Sequence, residues 1–257
     1  MLDHLFDSDR LWLGLAIGNS HLHWGKFRGA TLIETWDTDH LQKSPSEMGW
    51  NWIDGRSPLP LVVASVVPAQ TQWWENYPHL KVLKLEDLPL GGLYPTLGID
   101  RALAVLGAGE KLGFPILLID AGTALTVTGA DGDRHLVGGA ILPGLGLQFS
   151  ALANRTATLP EIALPDDLPP RFASDTDGAI RSGIIYTIIA GMMGFIKAWT
   201  ENFSDTKIAI TGGDRTRILT YFKRQYPKIG TSIIEAPEAI FWGMSTAMIG
   251  ESRAADK

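Results

Sequence analysis

The sequence contains no cysteine, which removes disulfides, thiolate nucleophiles and cysteine-ligated zinc from the chemistry open to it. It also lacks any surplus of positive charge: 22 Lys and Arg stand against 28 Asp and Glu, a formal net charge of -6 at pH 7. No basic run forms a local patch, so neither a nucleic-acid backbone nor an anionic lipid surface is attracted at long range. Nucleic acid and membrane are therefore not expected partners, whereas a small anionic ligand held by a few local donors stays open. The N-terminal MLDHLFDSDR has neither the basic nor the apolar region of a secretory leader. The longest mainly apolar stretch, Gly183 to Ile196, is too short to span a bilayer and reads as a buried helix. A soluble, cytoplasmic protein is expected. Also missing are the P-loop signature GxxxxGK[ST] and the HRD and DFG motifs of protein kinases.

What is present is enough apolar material for a sizeable core, 257 residues at 45% hydrophobic composition. Leu11 to Phe27 (LWLGLAIGNSHLHWGKF) runs apolar, breaks at Gly-Asn and then alternates, the pattern of a hairpin. Further strands are expected at Leu59 to Pro68 and His79 to Leu85, a loop at Leu88 to Gly98, and a helix from Asp100 to Leu112. From Pro115 the pattern restarts, and setting Gly18 on Gly122 aligns LAIGNSHLHWG with IDAGTALTVTG. Such a repeat implies an old duplication, with halves at 1–112 and 113–257 facing one another across a cleft. Beyond it come a loop carrying AILPGLGLQ, a Pro- and Asp-rich linker, the apolar helix after Thr176, a strand KIAITGG and a closing helix within Ala236 to Ile249. Strands alternating with helices indicate an α/β architecture.

Two strand ends carry glycine followed by a small polar residue, Gly18-Asn19-Ser20 and Gly122-Thr123, and a third ends in Gly212-Gly213. Backbone N–H groups at such turns can approach phosphate oxygens because no side chain intervenes, although ordinary hairpins use the same residues. Asp120 precedes the second turn, where it either caps the turn or stands ready for a cation. Its counterpart in the first is Ala16. Between the repeats, Gly98-Ile99-Asp100-Arg101 places a carboxylate beside a guanidinium at a loop-to-helix junction, either an N-cap with a solvated Arg or a base beside an anion clamp. His21 and His23 share a strand face, but two ligands do not make a metal site, and hairpin packing is the expected role. The nine Trp residues are assigned to packing rather than to sugar stacking.

Taken in order, these segments resemble the motif set of type III pantothenate kinases, a family of the actin-like ATPase and sugar-kinase superfamily. Ala16-Ile17-Gly18-Asn19-Ser20 matches the family's Asp-x-Gly-Asn-Thr, with alanine in place of the acid and serine in place of threonine. Gly98 to Arg101 matches Gly-x-Asp-Arg, and Asp120 to Ala124 matches Asp-x-Gly-Thr-Ala. Ser65 to Pro68, Gly138 to Gly144, Thr176 to Gly183 and Thr211 to Gly213 also match, so the likeness covers nearly the whole chain. It implies an actin-like ATPase architecture of two ribonuclease-H-like halves, and transfer of the ATP γ-phosphate to pantothenate, the first step toward coenzyme A. By resemblance, Asp100 is the general base. Gly98, Ile99, Arg101, Tyr94 and Thr176 then line the pantothenate pocket, and Ile17, Gly18, Asn19, Ser20, His21, Leu22 and Thr123 hold ATP. Mg2+ accompanies ATP, Asp120 holds a monovalent cation (K+ or NH4+), and the enzyme is a homodimer. Two readings compete: a non-catalytic or regulatory relative that binds nucleotide or pantothenate, and a kinase of another hydroxyl substrate.

Overall fold

The computed structural model describes residues 9–45, 47, 58–156, 158–160 and 162–255. The chain forms two compact units, Met1–Lys111 with Ala239–Lys257, and Leu112–Glu238.

The first unit contains β1 (Leu11–Ile17), β2 (His21–Arg28), β3 (Thr31–Asp39), β4 (Leu61–Ser65), the single turn α1 (Pro68–Thr71), β5 (Leu80–Val82) and α2 (Ile99–Leu112). Its sheet runs β3-β2-β1-β4-β5, the first three strands antiparallel and β4 and β5 parallel to β1. The central strand β1 reads as an unbroken apolar run because both its faces are covered. Leu13, Leu15 and Ile17 join Leu22, Trp24, Leu61, Val63 and Trp74 on one face. On the other, Gly14 and Gly25 leave room for Met244 and Phe241 from a helix at the far end of the chain. Tryptophans of this unit pack as expected where they are described, with Trp12 stacked on Phe27 at 3.8 Å and Trp24 edge-on to Trp74 at 5.4 Å; Trp50 and Trp52 lie outside the described residues.

The second unit contains β6 (Ile116–Ala121), β7 (Ala124–Ala130), β8 (Leu136–Pro143), α3 (Leu145–Arg155), α4 (Thr176–Asn202), β9 (Lys207–Thr211), α5 (Arg215–Gln225), the single turn α6 (Pro227–Gly230) and β10 (Ile234–Glu235). Its sheet, β10-β9-β6-β7-β8, repeats the order and the directions of the first. The registers agree as well. Ala16 pairs with His23 on one side and Ala64 on the other, and Asp120 pairs with Thr126 and Thr211. Ala16 and Asp120 thus occupy the same position in two copies of one topology, as the aligned glycines imply.

Three expectations are corrected. The closing helix, α7 (Ala239–Ala255), belongs to the first unit, so the expected half 113–257 loses it. It crosses α2 so closely that a Cβ on Gly107 would run into the Ala239 carbonyl and the Gly243 backbone, and one on Gly243 into the Leu103 carbonyl. The segment containing AILPGLGLQ is not a loop but the end of β8 and the start of α3; β8 is an edge strand with Val137 and Ile141 exposed, so apolar alternation does not reveal it. The apolar helix is also longer than its apolar stretch. α4 runs for 27 residues, is capped by Asp175 accepting from Gly178 N at 2.7 Å, and is long and apolar enough to cross a membrane by length and composition. Here its Ile180, Ile184, Ile188, Met192 and Ile196 face joins the core of the second sheet, and a Cβ on Gly129 of β7 would strike the Trp199 ring.

Candidate active site

In the first unit the turn after β1 is closed by Gly18 N donating to the His21 carbonyl at 3.1 Å, with Asn19, Ser20 and His21 exposed at its tip. Ile17 and Leu22 flank it but are buried in the core, so they can offer a ligand only backbone atoms. The His40 Nε2 lies 2.8 Å from the Gly18 carbonyl and braces the turn from behind. One strand over, Val66 N donates to the Ile17 carbonyl at 3.2 Å, and Ser65 Oγ accepts from Val67 N at 3.0 Å. A Cβ on Gly98 would lie 3.7 Å from Val66 Cγ1 and would overlap the Asp100 carboxylate. The Gly98 to Arg101 junction therefore leans on the end of β4, which leans on the first glycine turn.

Asp100 stands in the first turn of α2 with its Oδ1 accepting from Arg101 N at 2.8 Å, where the helix dipole favours its negative charge. Asp100 is the second residue of α2 rather than its N-cap; one oxygen is engaged at the helix start, and a carboxylate has a second. Arg101 is buried, with Nη1 donating to the Tyr94 hydroxyl at 3.2 Å, while Tyr94 is exposed. A buried guanidinium tied to a phenol is held in place, unlike a solvated Arg.

In the second unit the corresponding turn is built from three interlocking backbones. Gly122 N donates to the Ala124 carbonyl at 3.2 Å, Gly144 N to the Thr123 carbonyl at 2.8 Å and Asp214 N to the Ala121 carbonyl at 2.9 Å. A Cβ on Gly144 would overlap the Gly122 and Thr123 carbonyls. Gly212 has φ +89°, and a Cβ there would press on the Ala121 carbonyl and on the Asp120 carboxylate. Glycine at 144 and 212 is thus what lets the strand ends close around Thr123 and Asp120. Asp214 sits at the base of this turn, and burial pushes its carboxyl above the usual range.

The Asp120 carboxylate is a hard oxygen donor, the type of ligand that hard cations take. Among the described residues no group of three or more His, Asp or Glu is placed to hold a metal ion. The His21 and His23 rings are 6.4 Å apart and tilted, and His23 is engaged by Asp37 at 2.7 Å. Thr176 opens α4 and is exposed. Sequence reasoning missed His40, Asp214 and the His23–Asp37 pair. The last was hidden because β3, which carries Asp37, has no clear apolar alternation.

Two sheets of matched order, each with a glycine turn on its central hairpin, form the duplicated α/β fold found in actin-like ATPases and ROK sugar kinases. The structure is similar to a conserved Campylobacter jejuni protein described as a Baf family transcriptional activator, with a TM-score of 0.63 at 20% identity over 94% of this chain and 99% of that one. It is also similar to a ROK family glucokinase from Streptomyces griseus in complex with glucose and AMPPNP, with a TM-score of 0.51 at 12% identity over 93% and 98%. At the level of sequence, the family model of type III pantothenate kinase matches residues 12–198. A type III pantothenate kinase from Nostoc sp. is 49% identical over 93% of this chain and 95% of its own length. The chain belongs to the type III pantothenate kinase family.

Proposed function

We propose that this protein transfers the γ-phosphoryl group of ATP to the primary hydroxyl of pantothenate, giving 4'-phosphopantothenate and ADP, the first step toward coenzyme A. Family membership along nearly the full chain carries the reading, and the paired Asp100 and Arg101 beside the first glycine turn support it. The second oxygen of Asp100 takes the hydroxyl proton as the pantothenate oxygen bonds to the γ-phosphorus and the bond from that phosphorus to the β-phosphate oxygen breaks. Arg101, braced by Tyr94, orients the pantothenate carboxylate, with Gly98 and Ile99 shaping the pocket floor; in the second unit, Thr176 offers pantothenate a hydroxyl. In the first unit the turn at Gly18, Asn19 and Ser20 holds phosphate oxygens; in the second the hydroxyl of Thr123 does so, and Asp120 holds a K+ or NH4+ ion. A Mg2+ ion bound with ATP would supply charge neutralisation for the transfer. The enzyme acts in the cytoplasm as a homodimer, for which the exposed Gly191, Gly194 and Phe195 along α4 offer an apolar surface.

Ala16 favours a second reading, a relative that binds nucleotide without turning it over, because that slot offers no acceptor. A coupled assay of ADP release with pantothenate against a panel of sugars, at saturating Mg2+, ATP and K+, separates the readings. Release that depends on pantothenate alone is expected. Inactivity with every acceptor would promote the non-catalytic reading, and activity with a sugar instead would reassign the substrate.

A further inference from the structure

The two glycine turns differ in a reciprocal way. In the second unit the row across β6, β7 and β8 reads Asp120, Thr126, Ile141; in the first, the same row across β1, β2 and β3 reads Ala16, His23, Asp37. Where the central strand has a carboxylate, the outer two positions cannot ionise. Where it has a buried methyl group, they carry an imidazole and a carboxylate. Side chains one across from another on neighbouring strands share a face, so His23 and Asp37 lie on the side of the sheet that Ala16 faces, opposite the Leu15, Trp24 and Trp36 row.

The ring is aimed as well as placed. Its Nδ1 lies 2.7 Å from Asp37 Oδ1. An ionised carboxylate only accepts, so Nδ1 carries the hydrogen and Nε2 of the neutral ring is an acceptor. That Nε2 is the ring atom nearest the glycine turn, 3.5 Å from where a Cβ on Gly18 would sit. We propose that His23, oriented by Asp37, gives the first turn the acceptor that Ala16 cannot supply, and that it receives a hydrogen bond from the water shell of the divalent cation carried by ATP. The proposal rests on reading Gly18 to Ser20 as a nucleotide-phosphate turn. The carboxylate fixes the ring's orientation and adds a negative charge, so the pair presents an acceptor and a charge to the turn from the neighbouring strands. As a surface ion pair alone it contributes little to folding, since the side chains of His23 and Asp37 are 43% and 66% exposed. Its removal therefore leaves a folded protein in which binding can be read.

The test is calorimetric titration of the whole protein with AMPPNP, in Mg2+ and in EDTA, with melting temperature as the check on folding. His23→Ala should weaken binding about tenfold or more in Mg2+, the scale of one charge-assisted hydrogen bond, and leave binding in EDTA unchanged. Asp37→Asn should act in the same direction by less. Adding Ala16→Asp to His23→Ala should restore the Mg2+ advantage; if that double variant does not fold, the Asp37→Asn result decides. Gly18→Val tests the underlying reading: it should weaken binding in both conditions. AMPPNP bound normally by Gly18→Val would overturn that reading, and the proposal with it. Loss in Gly18→Val with no Mg2+-specific change in His23→Ala and Asp37→Asn would keep the turn and overturn the role of His23, as would equal weakening with and without Mg2+.

Discussion

Replacing Gly212 with alanine probes the closure of the second turn directly. Two separate penalties apply. At φ +89° an L-residue lies in the left-handed region, which costs about 1–2 kcal/mol. The new methyl would also press on the Ala121 carbonyl, and backbone cannot swing aside as a side chain can, so overpacking adds roughly 1–3 kcal/mol. Together they amount to about 3 kcal/mol, a large fraction of the roughly 5–15 kcal/mol that holds a domain folded. For a unit of this size the melting temperature should drop by roughly 10 °C. Gly213→Ala is the matched control, because a Cβ there meets nothing within 4 Å. Removing backbone freedom from the unfolded chain should leave that variant's stability equal or higher by about 0.4–1 kcal/mol. Differential scanning calorimetry of the two variants beside the parent gives the comparison. Equal melting temperatures for Gly212→Ala and Gly213→Ala would refute the argument that strand ends interlock at Gly212.

Asp100→Asn keeps the hydrogen bond to Arg101 N but removes basicity, so turnover with pantothenate should fall on the order of 10²-fold or more while AMPPNP binding persists; near-normal turnover would remove Asp100 as the base. Rates in K+, NH4+ and Na+ should differ for the parent protein and converge in Asp120→Asn, and identical parent rates in all three salts would dismiss a bound monovalent cation. Burial raises the Asp214 carboxyl above its unfolded value, so the folded state takes up that proton first and this residue's contribution to stability falls as pH rises through the window between the two values. Asp214→Asn should therefore melt higher than the parent at pH 7, with the gain shrinking toward pH 4. A gain that grew on acidification would contradict the sign.

By itself the sequence determined the local elements and the repeat. β1 with β2, and β6 with β7, are legible because strand periodicity and a Gly-polar break are properties of neighbouring residues. The internal alignment of Gly18 with Gly122 needs no coordinates, and it carries the duplication, the missing carboxylate at Ala16 and the family motifs with it. Tertiary structure alone decided what depends on distant partners. β3 and β8 are edge strands whose half-exposed faces leave no apolar alternation to read, so the row of Ala16, His23 and Asp37 exists only once pairing sets their register. The last helix returns to the first unit because glycines at 107 and 243, far apart in the chain, permit a backbone approach that no local pattern encodes. The burial of Arg101 and its hydrogen bond to Tyr94, seven residues earlier, likewise appear only in the folded unit. Local spacing specifies hydrogen bonds a few residues apart; register and burial are set by the chain as a whole.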